Sequence, residues 1–113
     1  MRDCTFCRIA SGDESARVIY QDEGVTAFHD RNPQAPTHVL IIPNAHIESV
    51  NQVTAEDVDL LGRLFIVARE VAEEEGVTGG YRLVINTGSR AGQSVFHLHV
   101  HLLGGRLLSW PPG

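Results

Sequence analysis

The chain of 113 residues, 42% of them apolar, is long enough for one globular domain with one hydrophobic core and too short for two. A formal charge of −5 excludes the broad basic face that a nucleic-acid binder needs to neutralise many phosphates. All nine basic side chains are arginines, which removes Schiff-base chemistry and the Gly-x-x-x-x-Gly-Lys phosphate loop; no run approaches the about 18 apolar residues of a membrane span, and a cytoplasmic protein is expected.

Residues 3–11 read as a short helix with Phe6 and Ile9 on one face, stopped by Ser11-Gly12-Asp13. Arg17 to Tyr20 and Val25 to His29 read as two strands of a hairpin turned at Asp22-Glu23-Gly24. The prolines of Arg31-Asn32-Pro33-Gln34-Ala35-Pro36 make that run a loop, and His38 to Ile42 follows as an apolar strand stopped at Pro43. Thr54 caps a long amphipathic helix with Asp57 in its first turn; its stripe is Val58, Leu61, Leu64, Phe65, Ala68, Val71 and Ala72, and it ends near Gly76. Arg82 to Asn86 and Val95 to Leu103 are the last two strands, separated by the polar loop 87–94. Five strands and two helices predict an α+β fold with an antiparallel sheet, a single domain over 1–113.

The last strand carries the chemistry. Alternation along Val95 to Leu103 sends Phe96, Leu98, Val100 and Leu102 to one face and His97, His99 and His101 to the other. A polar outer face would account for one His-x-His, but three consecutive same-face histidines with no other polar type among them point to function. One shared metal does not suit them: same-face residues stand about 6.6 Å apart and the outer two about 13 Å, whereas each imidazole must come within about 2.1 Å of the ion. Nucleophilic or acid–base use of imidazole near its ordinary pKa of about 6.5 remains. Gly92-Gln93-Ser94 just before the strand can offer backbone amides and the Ser94 hydroxyl to a phosphate, although alone it reads as an ordinary turn.

His-Leu-His-Val-His-Leu-Leu resembles the His-φ-His-φ-His-φ-φ signature, φ being apolar, of the histidine triad (HIT) family of nucleotide hydrolases and transferases. Phe28-His29-Asp30, Pro33 to His38, Asn86-Thr87-Gly88, Gly92-Gln93-Ser94, Leu103-Gly104-Gly105-Arg106 and Trp110-Pro111-Pro112-Gly113 look like the branch of histidine triad nucleotide-binding proteins, which are dimeric purine nucleoside phosphoramidases. The resemblance covers nearly the whole chain, with a core of about 4–107 and a tail of 108–113. It implies a HIT-like sheet extended across a homodimer, and a purine nucleoside monophosphate or phosphoramidate as ligand. By position it implies that His99 attacks the α-phosphorus to form a nucleotidyl-histidine intermediate. His101 and His38 would contact the phosphate and move the proton, and Ser94 would bond the phosphate or the leaving amine. Asn86, Gly92, Gln93 and the Val95 amide would hold the phosphate region, and Asp30 the ribose hydroxyls. Trp110 would reach a partner subunit's site, unless it merely packs. Arg31 stands where the branch usually has an apolar residue lining the base pocket, which opens the question of base preference.

No cofactor is required by that chemistry. Two alternatives compete with it: a non-catalytic purine-nucleotide-binding regulatory module, and a nucleotidyltransferase or dinucleoside polyphosphate hydrolase of the same family, whose hydrolases generally lack the Gly-Gly-Arg and Trp-Pro-Pro-Gly ending. Cys4 and Cys7 are bystanders or half of a metal site. With His46 and His97 they resemble the Cys2His2 structural zinc site of some bacterial family members, and positions 4 and 7 of a helix face the same way, as paired ligands must. A metal there makes His97 structural rather than catalytic.

Overall fold

The computed structural model describes residues 3–113; Met1 and Arg2 of the expected domain lie outside the described residues. The elements in chain order are α1 (Thr5–Ser11), β1 (Val18–Gln21), β2 (Val25–His29), β3 (Thr37–Pro43), α2 (Val58–Glu74), β4 (Tyr81–Val84) and β5 (Val100–Gly104). All strand pairs are antiparallel in the order β1-β2-β3-β5-β4, the five-stranded α+β sheet that the sequence predicts. Among the described residues no helix is long and apolar enough to cross a membrane.

Local chemistry sets the element ends. Cys4 caps α1, its Sγ accepting from the Cys7 amide (3.4 Å), and Gly12 closes the helix in the left-handed region at φ 85°. The hairpin turns on Asp22, whose Oδ1 accepts from the Gly24 and Val25 amides, both at 2.8 Å, while Arg63 of α2 donates to its Oδ2 (2.9 Å). Thr54 forms the capping box with Asp57: its hydroxyl accepts from the Glu56 amide (3.2 Å) and its amide donates to Asp57 Oδ2 (2.8 Å).

The sheet divides two apolar layers. Leu64, Val67, Ala68, Val71 and Ala72 of α2 pack on Val25, Ala27, Val39, Ile41, Val100 and Leu102. On the opposite face Phe6 and Ile9 of α1 pack on Phe28, Leu40 and Ile42. Strand alternation makes this division, and it puts His101 on the α1 face, in register with Leu40 and through it with Phe28.

Two expectations need correction. Val58 and Phe65 are exposed and Val67 is buried instead, because the buried stripe of α2 is phased on Leu64, Val67 and Val71, leaving Phe65 about 100° around the helix. The last strand does not begin at Val95: paired structure starts at Val100, and Phe96 is 48% exposed rather than in the core. The physical reason lies at Pro43, which has no amide to continue the ladder beside the histidine segment. The Pro43 carbonyl accepts from the His97 ring instead, and the Leu98 amide donates to the Ile47 carbonyl (2.6 Å).

The end of β5 is fixed by a close approach. A Cβ at Gly104 would lie 2.9 Å from the Val77 Cβ, which anchors the chain leaving α2. Gly104→Ala is expected to lower unfolding stability by about 1–3 kcal/mol in a urea titration, with an unchanged midpoint as the contrary result.

Candidate active site

Each of the three histidines has a tautomer set by its neighbours. His97, fully buried, places Nε2 2.7 Å from the Pro43 carbonyl; a carbonyl only accepts, so the proton is on Nε2 and Nδ1 keeps its lone pair. His99 does the reverse. Its Nδ1 lies 2.7 Å from the His97 carbonyl and therefore carries the proton, which leaves the Nε2 lone pair free for the cavity that His99 lines. Edge-on contact with Phe6, 5.2 Å between ring centroids, fixes the plane of the His99 ring.

The third tautomer is set at the end of a chain of hydrogen bonds. Arg106 holds the Gln34 carbonyl with Nε (3.2 Å) and Nη2 (3.0 Å), and the Gln34 amide donates to His38 Nδ1 (3.0 Å). His38 must then carry its proton on Nε2, which lies 2.9 Å from His101 Nδ1 and 3.3 Å from Asp30 Oδ2. His101 accepts on Nδ1 and so presents Nε2–H as a donor. Asp30, His38 and His101 lie close enough together to hold a metal. The Gln34 amide opposes that use, because a metal on His38 Nε2 would need a proton on Nδ1, facing another N–H.

His99, His101, Ser94 and Val95 line one part of a cavity of about 690 Å3, together with Asp30 and Arg31. Its apolar walls are Phe6 and Ile9 from α1 and Phe28 and Leu40 from the sheet, with Phe6 set edge-on to Phe28 (5.4 Å between ring centroids). None of these four was among the expected site residues. The signal was present: Phe28 and Leu40 share the sheet face of His101, and Phe6 and Ile9 form the inner face of the first helix. Gln34 and Arg106 also went unassigned, since their contacts join positions 72 apart in sequence.

Other expected residues lie elsewhere. His38 does not line the cavity but stands behind His101, 5% exposed and 2.9 Å from its Nδ1. Gln93 is buried and turned away: its Nε2 donates to the carbonyls of Glu48 (2.7 Å) and Val95 (3.1 Å), and its Oε1 accepts from the Gly88 amide (2.9 Å). It braces the loop rather than reaching a ligand. Gly92, in the left-handed region at φ 97°, and Asn86 lie in and beside that loop, and neither lines the cavity. Trp110 is 81% exposed and does not line the cavity. Asp30 lines the cavity with one oxygen accepting from the Asn32 amide (2.8 Å), and keeps lone pairs for a ligand hydroxyl.

The four expected metal ligands come together on the far side of His97. Cys4 Sγ lies 3.3 Å from His97 Nδ1, and Cys7 Sγ lies 3.3 Å from His46 Nδ1 and 3.5 Å from His97 Nδ1. A tetrahedral zinc with ordinary bond lengths separates its sulfur and nitrogen ligands by about 3.6 Å. Two thiols and two imidazoles at nearly that spacing, one imidazole with its lone pair already directed at the sulfurs, fit such an ion.

Comparison with known proteins places these observations in a family. The description "Scavenger mRNA decapping enzyme C-term binding" matches residues 3–109. A HIT-like protein of Synechococcus elongatus is 49% identical over 111 residues, 98% of this chain and 97% of that one. Among solved structures, a HIT family hydrolase from Legionella pneumophila is 50% identical with a TM-score of 0.96, covering 98% of this chain and 100% of that one. A histidine triad nucleotide-binding protein from Candida albicans is 27% identical with a TM-score of 0.83, covering 96% and 83%.

Burial corrects the expectation of ordinary imidazole pKa values. It pushes His99 down against the opposing bond to His97, pushes His38 down against the attraction of Asp30, and with its neighbours His99 and His38 takes His101 down to about 4. Protonating His38 or His101 is therefore harder in the folded chain than in the unfolded one. The stability they hold is complete above the ordinary value near 6.5 and is lost as the pH falls toward 4. The thermal midpoint should stay level above about pH 7 and fall through that window, less steeply in His101→Asn. A midpoint unchanged down to pH 4 would contradict the assignment of neutral, buried rings.

Proposed function

The chain belongs to the histidine triad (HIT) family, and from that premise we propose that it is a hydrolase cleaving the phosphorus–nitrogen bond of purine nucleoside 5'-phosphoramidates, releasing AMP or GMP. What supports the reading is one observation above the rest: His99 turns an unprotonated Nε2 toward a cavity with apolar walls, beside the Nε2–H of His101. The hydrolase and nucleotide-binding names of the similar structures point the same way.

In this reading the base lies over Phe28 and Leu40 with the edges of Phe6 and Ile9 beside it, Asp30 accepts from the ribose hydroxyls, and the phosphate oxygens meet His101, Ser94 and the Val95 amide. His99 Nε2 bonds the α-phosphorus as the phosphorus–nitrogen bond breaks. The leaving nitrogen takes a proton from solvent, relayed through Ser94 and His101, and the water that hydrolyses the adduct gives one back to solvent. Donors fixed before the substrate arrives stabilise the charge on the phosphoryl oxygens without reorganising, the usual source of the largest rate gain. His99→Ala should reduce hydrolysis of fluorogenic adenosine and guanosine phosphoramidates by at least about 10³-fold while nucleoside monophosphates still bind. Unchanged turnover in the variant would end the proposal; wild-type kcat/KM far below about 10⁴ M⁻¹s⁻¹ would favour a binding module instead.

Cys4, Cys7, His46 and His97 are proposed to hold a structural zinc. It takes no part in the reaction; its chemistry is to bind two thiolates and two imidazoles and so join α1 to the histidine segment. About one equivalent of zinc is expected in the purified protein, lost in Cys4→Ser together with part of its thermal stability. Less than a few tenths of an equivalent, unaffected by the substitution, would remove the metal from the account. A homodimer is proposed as well, through the outer edge of β4 and the exposed Phe65 and Ile66 of α2, with the tail and Trp110 lying toward the partner.

A further inference from the structure

The cavity crosses the strands. Leu40 and Phe28 stand in register between His101 on β5 and the start of β1, where the His29 amide donates to the Arg17 carbonyl (3.1 Å). Three strand spacings of about 4.8 Å put Arg17 about 14 Å from the histidine end. A nucleotide with its phosphorus at His99 therefore directs its base over Leu40 and Phe28 toward Ser15, Arg17 and Arg31, all of which line the cavity.

Two arginines at the base end make it a donor-rich place, because a guanidinium donates and never accepts. Arg31 is 78% exposed, and its link to Glu14 Oε2 is a surface contact of 3.6 Å; Glu14 is held more closely by Arg8, at 3.0 Å. Such a pair is weak in water, so Arg31 can turn onto a ligand at little loss. The carboxylates beside this end are already engaged, Glu14 with Arg8 (3.0 Å) and Asp30 with the Asn32 amide (2.8 Å) and His38 (3.3 Å), and His29 there donates or accepts equally well. Guanine and hypoxanthine offer two acceptors side by side, O6 and N7, to which an arginine donates twice. Adenine offers N7 beside an amino donor, which faces an arginine N–H with like polarity.

Resting on the nucleotide reading above, we infer that Arg31, assisted by Arg17, makes this a site for 6-oxopurine nucleotides: guanosine and inosine 5'-phosphates and their derivatives are selected over adenosine ones. Calorimetric titration of the intact protein with GMP, IMP and AMP tests this without requiring turnover. The wild type should bind GMP and IMP at least about fivefold tighter than AMP, and Arg31→Ile should bring the three to within about twofold by weakening GMP and IMP alone. Arg17→Ile should move the ratio the same way by less. Equal or tighter AMP binding overturns the inference, as does an unchanged ratio in Arg31→Ile or an equal loss for all three, which would put Arg31 on the phosphate. Binding without preference removes only this base assignment; no binding of any nucleotide removes the nucleotide reading with it.

Discussion

The site depends on a hydrogen bond that the histidine segment makes with itself: His99 Nδ1–H to the carbonyl of His97, two residues earlier. A neutral imidazole is a nucleophile only at the nitrogen without a proton, and a carbonyl partner decides which nitrogen that is. The segment makes the same kind of choice at His97 with the Pro43 carbonyl, and the outcome is opposite. One ring is left with its lone pair on Nε2 facing a cavity, the other with its lone pair on Nδ1 facing two thiols. Two histidines just ahead of β5 thus point their lone pairs into different surroundings through the direction of two carbonyls.

Other parts of the fold hold that arrangement. Gly104 allows β5 to pass close to Val77, and beyond the glycines Arg106 reaches the Gln34 carbonyl. Gln34 orients His38, and His38 orients His101. A substitution at Arg106 touches no cavity residue, yet it loosens the loop that determines which nitrogen of His38 carries a proton. On the other side, α1 has two duties in seven residues: Cys7, with the cap Cys4, faces His97 and His46, while Phe6 and Ile9 wall the cavity. Whatever holds the cysteines also holds the wall against which a flat ring would lie.

Much of this was legible in the residues. The hairpin turn at Asp22, the Thr54 cap, the Pro33 to Pro36 loop and the order of helices and strands follow from local chemistry, and local chemistry is what a sequence displays. The His-x-His-x-His row marked the segment that borders both the cavity and the cysteine cluster, although it read as continuous strand; Pro43, far along the chain, interrupts the ladder, and only the pairing register reveals that Pro43 faces this segment. The phase of α2 was misread at Phe65 because two overlapping stripes fit the same spacing and the sheet selects one. His38 and Gln93 were placed against the ligand when they stand behind residues that line the cavity. Depth behind a surface has no periodicity, so a motif gives the residue without its layer. Gln34 and Arg106 were invisible for the related reason that their bond spans most of the chain.

The same limit applied to the walls of the cavity. Phe6, Ile9, Phe28 and Leu40 were recognisable as apolar, but an apolar residue at a cavity and one in a core have the same pattern; the sheet register separates them by placing Phe28 and Leu40 in the row of His101.

The claim underlying the whole account is the protonation pattern of one ring, and nitrogen-15 NMR of the histidine side chains at neutral pH reads it directly. The account predicts that His99 is neutral, with its proton on Nδ1 and an unprotonated Nε2. A proton on His99 Nε2, or a ring exchanging evenly between the two forms, would contradict it.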